Sequence, residues 1–125
     1  MEKIKVAMLT NHFGITGIGT VIMNYCNALD KDKYDLTVLA GRPIADKYIK
    51  ECERAGIHLI ALPSRHGEPL KHYYALWKAL KTQKYDIIHD HGSSSMMAIE
   101  LTIAKMAGIK IRIAHSHNST CPNLK

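Results

Sequence analysis

The 125-residue sequence has no apolar run approaching a bilayer span, for which about 20 consecutive apolar residues are needed. It also shows no charged leader, apolar stretch and cleavage site of a secretory signal, because Met1-Glu2-Lys3 goes directly into a short apolar segment. A cytoplasmic chain is therefore expected. Cysteine is scarce, and Cys26, Cys52 and Cys121 are odd in number, widely spaced and in no metal-like pair. That speaks against a disulfide framework and for reduced, structural thiols. Without a secretion signal, Asn118-Ser119-Thr120 carries little weight as a glycosylation acceptor. Acidic residues are in deficit, 11 against 17 Lys and Arg, for a formal charge of +6. The excess implies affinity for anions such as nucleotide phosphates or anionic lipid. The lysines are scattered, however, so solvated lysine faces explain most of the charge and nucleic acid is not expected as a partner.

Against these absences, periodicities of two and 3.6 alternate along the whole chain, which reads as one domain, 1–125. The first strand, Ile4 to Leu9, leads into Thr10-Asn11-His12-Phe13-Gly14-Ile15-Thr16-Gly17-Ile18-Gly19-Thr20. A helix from near Ile18 carries Val21, Ile22, Tyr25, Cys26 and Leu29 at helical spacing. Strands are expected at Tyr34 to Ala40 and Ile57 to Leu62, with a helix between them that stops at Gly56. A third helix, about Leu70 to Thr82, is expected to turn Leu70, Tyr73, Tyr74, Trp77 and Leu80 inward. Ile87-Ile88-His89 belongs to a fourth strand and Ile111-Arg112-Ile113-Ala114 to a fifth. The helix between them, Met96 to Ala107, is apolar on nearly all sides and is expected to be the most buried.

Five mostly apolar strands separated by four helices imply an α/β fold, a parallel sheet covered on both faces. Right-handed crossovers favour the order 3-2-1-4-5, with a switch point between the first and fourth strands, where open sheets bind ligands. Three polar segments should meet there: the glycine-rich turn, His89-Asp90-His91-Gly92-Ser93, and His115-Ser116-His117-Asn118. Glycines at a strand-to-helix turn let backbone come close to a ligand and aim the amides of the first helical turn at it; phosphate is the usual ligand. A tight turn with no ligand is the competing reading.

Residues two apart in a strand share a face, so His89 pairs with His91 and His115 with His117. Such pairs could hold a metal, but only Asp90 is near and it points the other way, so no metal site is expected. His89 and His115 read as packed, hydrogen-bonded residues. His91 and His117, one step further out, are expected to meet a ligand as donors or proton carriers. A dinucleotide fold would show Gly-x-Gly-x-x-Gly, whereas this turn has Gly14-x-x-Gly17-x-Gly19. Arg42 could accept a 2'-phosphate, and Tyr74 with Lys78 fits a dehydrogenase Tyr-x-x-x-Lys pair, which keeps an NADP-dependent oxidoreductase fragment as a minor alternative.

Taken together, Gly17-Ile18-Gly19-Thr20-Val21-Ile22-Met23-Asn24, Tyr85-Asp86-Ile87-Ile88-His89-Asp90-His91 and Arg112-Ile113-Ala114-His115-Ser116-His117-Asn118 resemble the N-terminal domain of retaining GT-B glycosyltransferases, family 4-like, of bacterial capsule and exopolysaccharide biosynthesis. The resemblance implies a Rossmann-like, three-layer domain of about five or more strands. It implies transfer of a sugar from a nucleotide-diphosphate sugar, with retention, to a saccharide or polyprenyl-linked acceptor, with no separate cofactor. His91 would sit beside the transferred sugar. Gly14, Thr16, Gly17, Ile18 and Gly19 would face the donor diphosphate and acceptor, and Gly92, Ser93, His117 and Asn118 would line the same cleft. The C-terminal, donor-binding domain of that family is absent, so these 125 residues alone are expected to be inactive. Relatives often carry Gly-Gly-x-Glu where this chain has Thr16-Gly17-Ile18-Gly19. The other alternative is a non-catalytic nucleotide- or phosphate-binding module. In the third helix, Lys71, His72, Lys78, Lys81 and nearby Lys84 accompany Tyr73, Tyr74 and Trp77, which suggests a peripheral contact with anionic membrane; an ordinary helix with aromatics in the core is the plainer reading.

Overall fold

The computed structural model describes residues 2–11, 13, 17–92 and 96–116. Among the described residues nine elements alternate: β1 (Ile4–Thr10), α1 (Gly17–Ala28), β2 (Tyr34–Gly41), α2 (Asp46–Ala55), β3 (His58–Leu62), α3 (Pro69–Gln83), β4 (Ile87–Gly92), α4 (Met96–Met106) and β5 (Ile111–Ser116). Every strand pairing is parallel and the order is β3-β2-β1-β4-β5, as expected.

Strand alternation divides the interior into two cores. Val6 and Met8 of β1 and Leu36 and Val38 of β2 face α1 and α2, meeting Ile22, Cys26, Tyr48 and Cys52. Ala7 and Leu9, with Leu39 and Ile88, face α3 and α4, meeting Leu76, Leu80 and Ala104. A central strand buried on both faces is what a near-continuous apolar run such as Val6-Ala7-Met8-Leu9 encodes. Phe13 stacks on Tyr48 with centroids 4.5 Å apart and bridges to Ile44, tying the segment after β1 to the entry of α2. Such an offset pair adds about 0.5–1.5 kcal/mol beyond its buried area.

Helix ends follow local chemistry. Gly56 closes α2 in the left-handed region, φ 72°, and its amide bonds back to the last carbonyls of the helix. Pro69 opens α3 in its first turn, where a missing N–H costs nothing. The thiols of Cys26 and Cys52 are free and buried, and burial pushes them up to about 12 and about 11, so both are inert structural groups. Cys121 and the tripeptide 118–120 lie outside the described residues.

Three expectations fail, and all concern which side of an element is covered. Helix α4 is not the most buried: Glu100 and Ala104 are its buried residues, whereas α1 buries Gly19, Ile22, Met23 and Cys26. The physical reason is its place beside β5, the last strand of the sheet order, which is itself largely exposed, with Ile111 and Ile113 among the exposed apolar residues. In α3 the inward residues are His72, Leu76 and Leu80, while Leu70 is 85% and Tyr74 63% exposed. His72 is accommodated inside because its Nδ1 lies 2.8 Å from the Pro63 carbonyl; burial lowers its pKa and keeps the ring neutral. The third failure concerns His91 and belongs to the site.

Candidate functional site at the carboxyl ends of β1, β4 and β5

Parallel strands in register end at one rim. Thr10 at the end of β1 pairs with His91 of β4, which pairs with His115 of β5; one step on, Gly92 pairs with Ser116. The turn from β1 enters α1 at Gly17, so the first residues of that helix stand at the same end of the sheet. The tips of β1, β4 and β5 are thus brought together beside the β1/β4 switch point. Of the residues singled out in the sequence, His91, Gly17, Ile18, Gly19 and Gly92 are described. Gly14, Thr16, Ser93, His117 and Asn118 lie outside the described residues.

The glycines differ in what they do. A Cβ on Gly17 would meet nothing within 4 Å, so no neighbour in the fold demands a glycine there. A Cβ on Gly92 would come to 3.2 Å from the Met97 side chain, which is flexible enough to yield. The strictest site is one that sequence reading did not single out for packing. A Cβ on Gly41 would lie 2.6 Å from the Asn11 carbonyl oxygen, so the backbones leaving β1 and β2 approach closely only because residue 41 is glycine.

The histidines form one cluster on the α1 face. Met8 of the α1-facing core pairs with His89, and strand alternation carries His91 to the same side; the register adds His115. The rings of His89 and His91 are 4.1 Å apart, those of His89 and His115 stack at 5.3 Å, and Tyr25 of α1 lies 5.2 to 6.0 Å from all three. His89 Nε2 and His115 Nδ1 are 3.2 Å apart, so one donates to the other and the acceptor nitrogen must be unprotonated. Burial here reverses the expectation. His91 is 2% exposed while His89 and His115 are half-buried, although Tyr25 is no nearer to it than to the other two rings. Strand position alone placed it outermost; the helix across the face was not visible in the local pattern.

The cluster gathers three ring nitrogens within 4.8 Å of one another, closer to a metal set than the within-strand pairs suggested. Tetrahedral zinc, at about 2.0–2.1 Å from each nitrogen, would hold them about 3.3 Å apart. The trio would have to draw together to receive an ion, so it is not a preformed metal centre.

Asp90 points to the opposite face, where it meets Glu100 of α4 in a buried pair. Burial, then the Glu100 charge, pushes the Asp90 carboxyl up to about 9, and burial likewise raises Glu100. Neither Asp90 oxygen makes a hydrogen bond of good geometry, so the coupling is mainly electrostatic proximity. At neutral pH the pair holds a proton. Sequence reading missed this pair; a carboxylate inside an apolar strand, His89-Asp90-His91, was the available signal.

A cavity of about 530 Å³ opens at the other end of the sheet, where Lys81, Lys84, Asp86 and Lys110 surround the entries to β4 and β5. It has no part in the rim, and open α/β sheets bind ligands at carboxyl ends. Tyr74, the tyrosine of the dehydrogenase-like pair, stands outward on α3, and Arg42 after β2 is exposed.

A doubly wound parallel sheet with polar strand tips at its switch point defines an α/β domain of the Rossmann-like class. Within that class, the profile of Glycosyltransferase Family 4 matches residues 15–123, and the chain belongs to that family. The Bacillus subtilis (strain 168) protein named "Putative glycosyltransferase EpsF" is 29% identical over 106 residues. The match covers 83% of this chain and 27% of the relative, so the chain spans about a quarter of that protein's length. Among solved structures, the C-terminal domain (residues 78–226) of PF1911 hydrogenase from Pyrococcus furiosus is similar with a TM-score of 0.63 at 17% identity, covering 91% of this chain and 92% of the other. A second structure of that domain, residues 83–215, gives 0.59 at 16%, covering 92% and 94%. At such identities the likeness concerns the fold alone.

Proposed function

We propose that this chain is the N-terminal, acceptor-side lobe of a retaining GT-B hexosyltransferase that moves a sugar from a nucleotide-diphosphate sugar to a saccharide or polyprenyl-linked acceptor. The observation that carries the reading is the single rim on which Thr10, His91 and His115 align across three strands next to the start of α1. Family membership supports the transferase chemistry. Sugar transfer develops negative charge on the departing phosphate and positive charge on the ring. Backbone amides at the first turn of α1, around Gly17, Ile18 and Gly19, stabilise the former without reorganising. Thr16 and Gly14 belong to the same segment in sequence, Gly92 ends β4, and Ser93, His117 and Asn118 come next in sequence after β4 and β5.

His89 and His115 are half-buried and the more accessible imidazoles, and His91 is buried beside them. His91 therefore acts on a sugar hydroxyl once the covering side chains part, or through the ring of a neighbouring histidine. No separate cofactor is invoked. The reaction occurs in the cytoplasm, in a bacterium, and needs a second lobe for most nucleotide contacts, so the 125 residues alone are inactive.

The test is transfer by the protein extended through its full reading frame, with a panel of nucleotide sugars and purified saccharide and polyprenyl phosphate acceptors. The expected result is transfer with retained anomeric configuration by the full-length protein and none by residues 1–125. Transfer by the short chain alone would contradict the two-lobe account. A reading frame that ends without a second α/β domain would favour a nucleotide-binding module instead.

A further inference from the structure

Among the described residues, His89, His91 and His115 are the one group of three potential ligand side chains whose donor atoms all lie within 4.8 Å of one another. Strand alternation puts His89 and His91 on one face of β4, and the parallel register sets His115 beside His91. His89 Nε2 and His115 Nδ1, 3.2 Å apart, already stand close to the separation of about 3.3 Å that a tetrahedral zinc imposes on two of its nitrogens. The three donors have to close by at most about 1.5 Å per pair to share one ion.

The surroundings allow that closure. His89 and His115 are half-buried, and β5 is largely exposed and, among the described residues, bonded to β4 alone, so His115 can shift without opening either core. Tyr25, which borders all three rings, is 40% exposed and can swing aside. Among the described residues the donor set is all imidazole, because Asp90, which stands between two of the histidines in sequence, faces the opposite side with Glu100. Imidazole nitrogens suit zinc, copper and nickel, whereas magnesium and calcium take oxygen ligands. In the His89–His115 hydrogen bond one of the two facing nitrogens carries a proton. That proton moves to the other nitrogen of the same ring as the ion arrives, so the ring stays neutral and offers a lone pair.

We propose that His89, His91 and His115 bind one late first-row divalent cation of the zinc class, in a centre that closes on the ion as it enters. Three protein nitrogens leave the fourth position of a tetrahedral ion to water or to an oxygen of a ligand at the rim. The proposal stands apart from the sugar-transfer reading, because the ion is detected without turnover.

The experiment titrates the purified protein with zinc against a chromophoric chelator, and with cobalt(II) followed by visible absorption. The expected result is one equivalent of zinc bound per chain, undisturbed by a large excess of magnesium, and the intense visible bands of four-coordinate cobalt. His89→Gln and His115→Gln should each weaken zinc binding at least about 100-fold, since loss of an outer partner of a ligand already costs about 10–100-fold. Both side chains are half-buried, so circular dichroism should stay unchanged. His58, 68% exposed beside Asp35 and remote from the rim at the start of β3, supplies the control: His58→Gln should leave the affinity as it was. Zinc affinity unchanged in the folded His89→Gln and His115→Gln proteins, or equally lost in His58→Gln, overturns the proposal. Should either rim variant misfold, the parent protein still decides, because the weak bands of six-coordinate cobalt would contradict a three-histidine tetrahedral site.

Discussion

At the scale of single residues, the most consequential group outside the rim is Asp90. Its carboxyl keeps a proton up to about 9 in the folded protein, against an ordinary value of 3.8. Between those limits the folded state holds a proton that the unfolded state has released, so stability is full in acid and declines as pH rises, by at most about 1.4 kcal/mol per pH unit. Urea denaturation at about pH 5 and about pH 8 should give the lower midpoint at the higher pH. Asp90→Asn should shrink that difference; an undiminished difference would assign the pH dependence elsewhere.

The glycines give a paired comparison at the same scale. Gly41→Ala drives a methyl group against the Asn11 carbonyl oxygen, and relieving that contact should cost about 1–3 kcal/mol in chemical denaturation. Gly17→Ala meets nothing, and its stability should stay within about 0.5 kcal/mol of the parent. Loss of nucleotide-sugar turnover in the stable Gly17→Ala protein would then report on ligand approach to the turn, whereas equal stability losses in both variants would contradict the packing account.

At the scale of elements, the sheet was readable because its signals are local. Alternating two- and 3.6-residue periods, Gly56 and Pro69 at helix ends, and the right-handed crossover rule lead to nine elements in the observed order. Which face of an element is covered was less readable, since it depends on partners remote in sequence. In α3, His72 looks like a surface residue, and counting it outward rotated the inferred stripe onto Leu70 and Tyr74. The Pro63 carbonyl that satisfies His72 is not a periodic signal. In α4, apolar composition suggested deep burial, yet a helix beside the last strand has little to pack against. The histidine-bearing tips were legible as a group from the strand order. The third histidine of the cluster came from the β4/β5 register, and which of the three rings is most buried is not a local signal of the strand.

The exposed β5 also sets an expectation for dynamics. Among the described residues it is bonded to β4 alone in the sheet and is largely exposed, whereas β1 is central and buried. Native-state hydrogen exchange should therefore protect β1 amides up to the global unfolding free energy and release β5 amides through smaller openings. Equal protection of the two strands would show that β5 is held by more than its described neighbours.

At the scale of the whole molecule, the carboxyl-end rim and the α3/α4 layer differ in composition. The carboxyl-end rim gathers polar groups from three strands and the start of α1, and α3 carries three lysines and no acid. The chain spans about a quarter of the putative glycosyltransferase it resembles, and the proposed active site is completed by other parts of a longer protein. The direct measurement is the rate of sugar transfer by the full-length protein and by its His91→Ala variant, with folding of both checked by circular dichroism. The account predicts that the variant folds and loses at least about 100-fold in kcat, the lower range for a positioned proton-transferring or hydrogen-bonding group. A folded variant with an unchanged rate would contradict it.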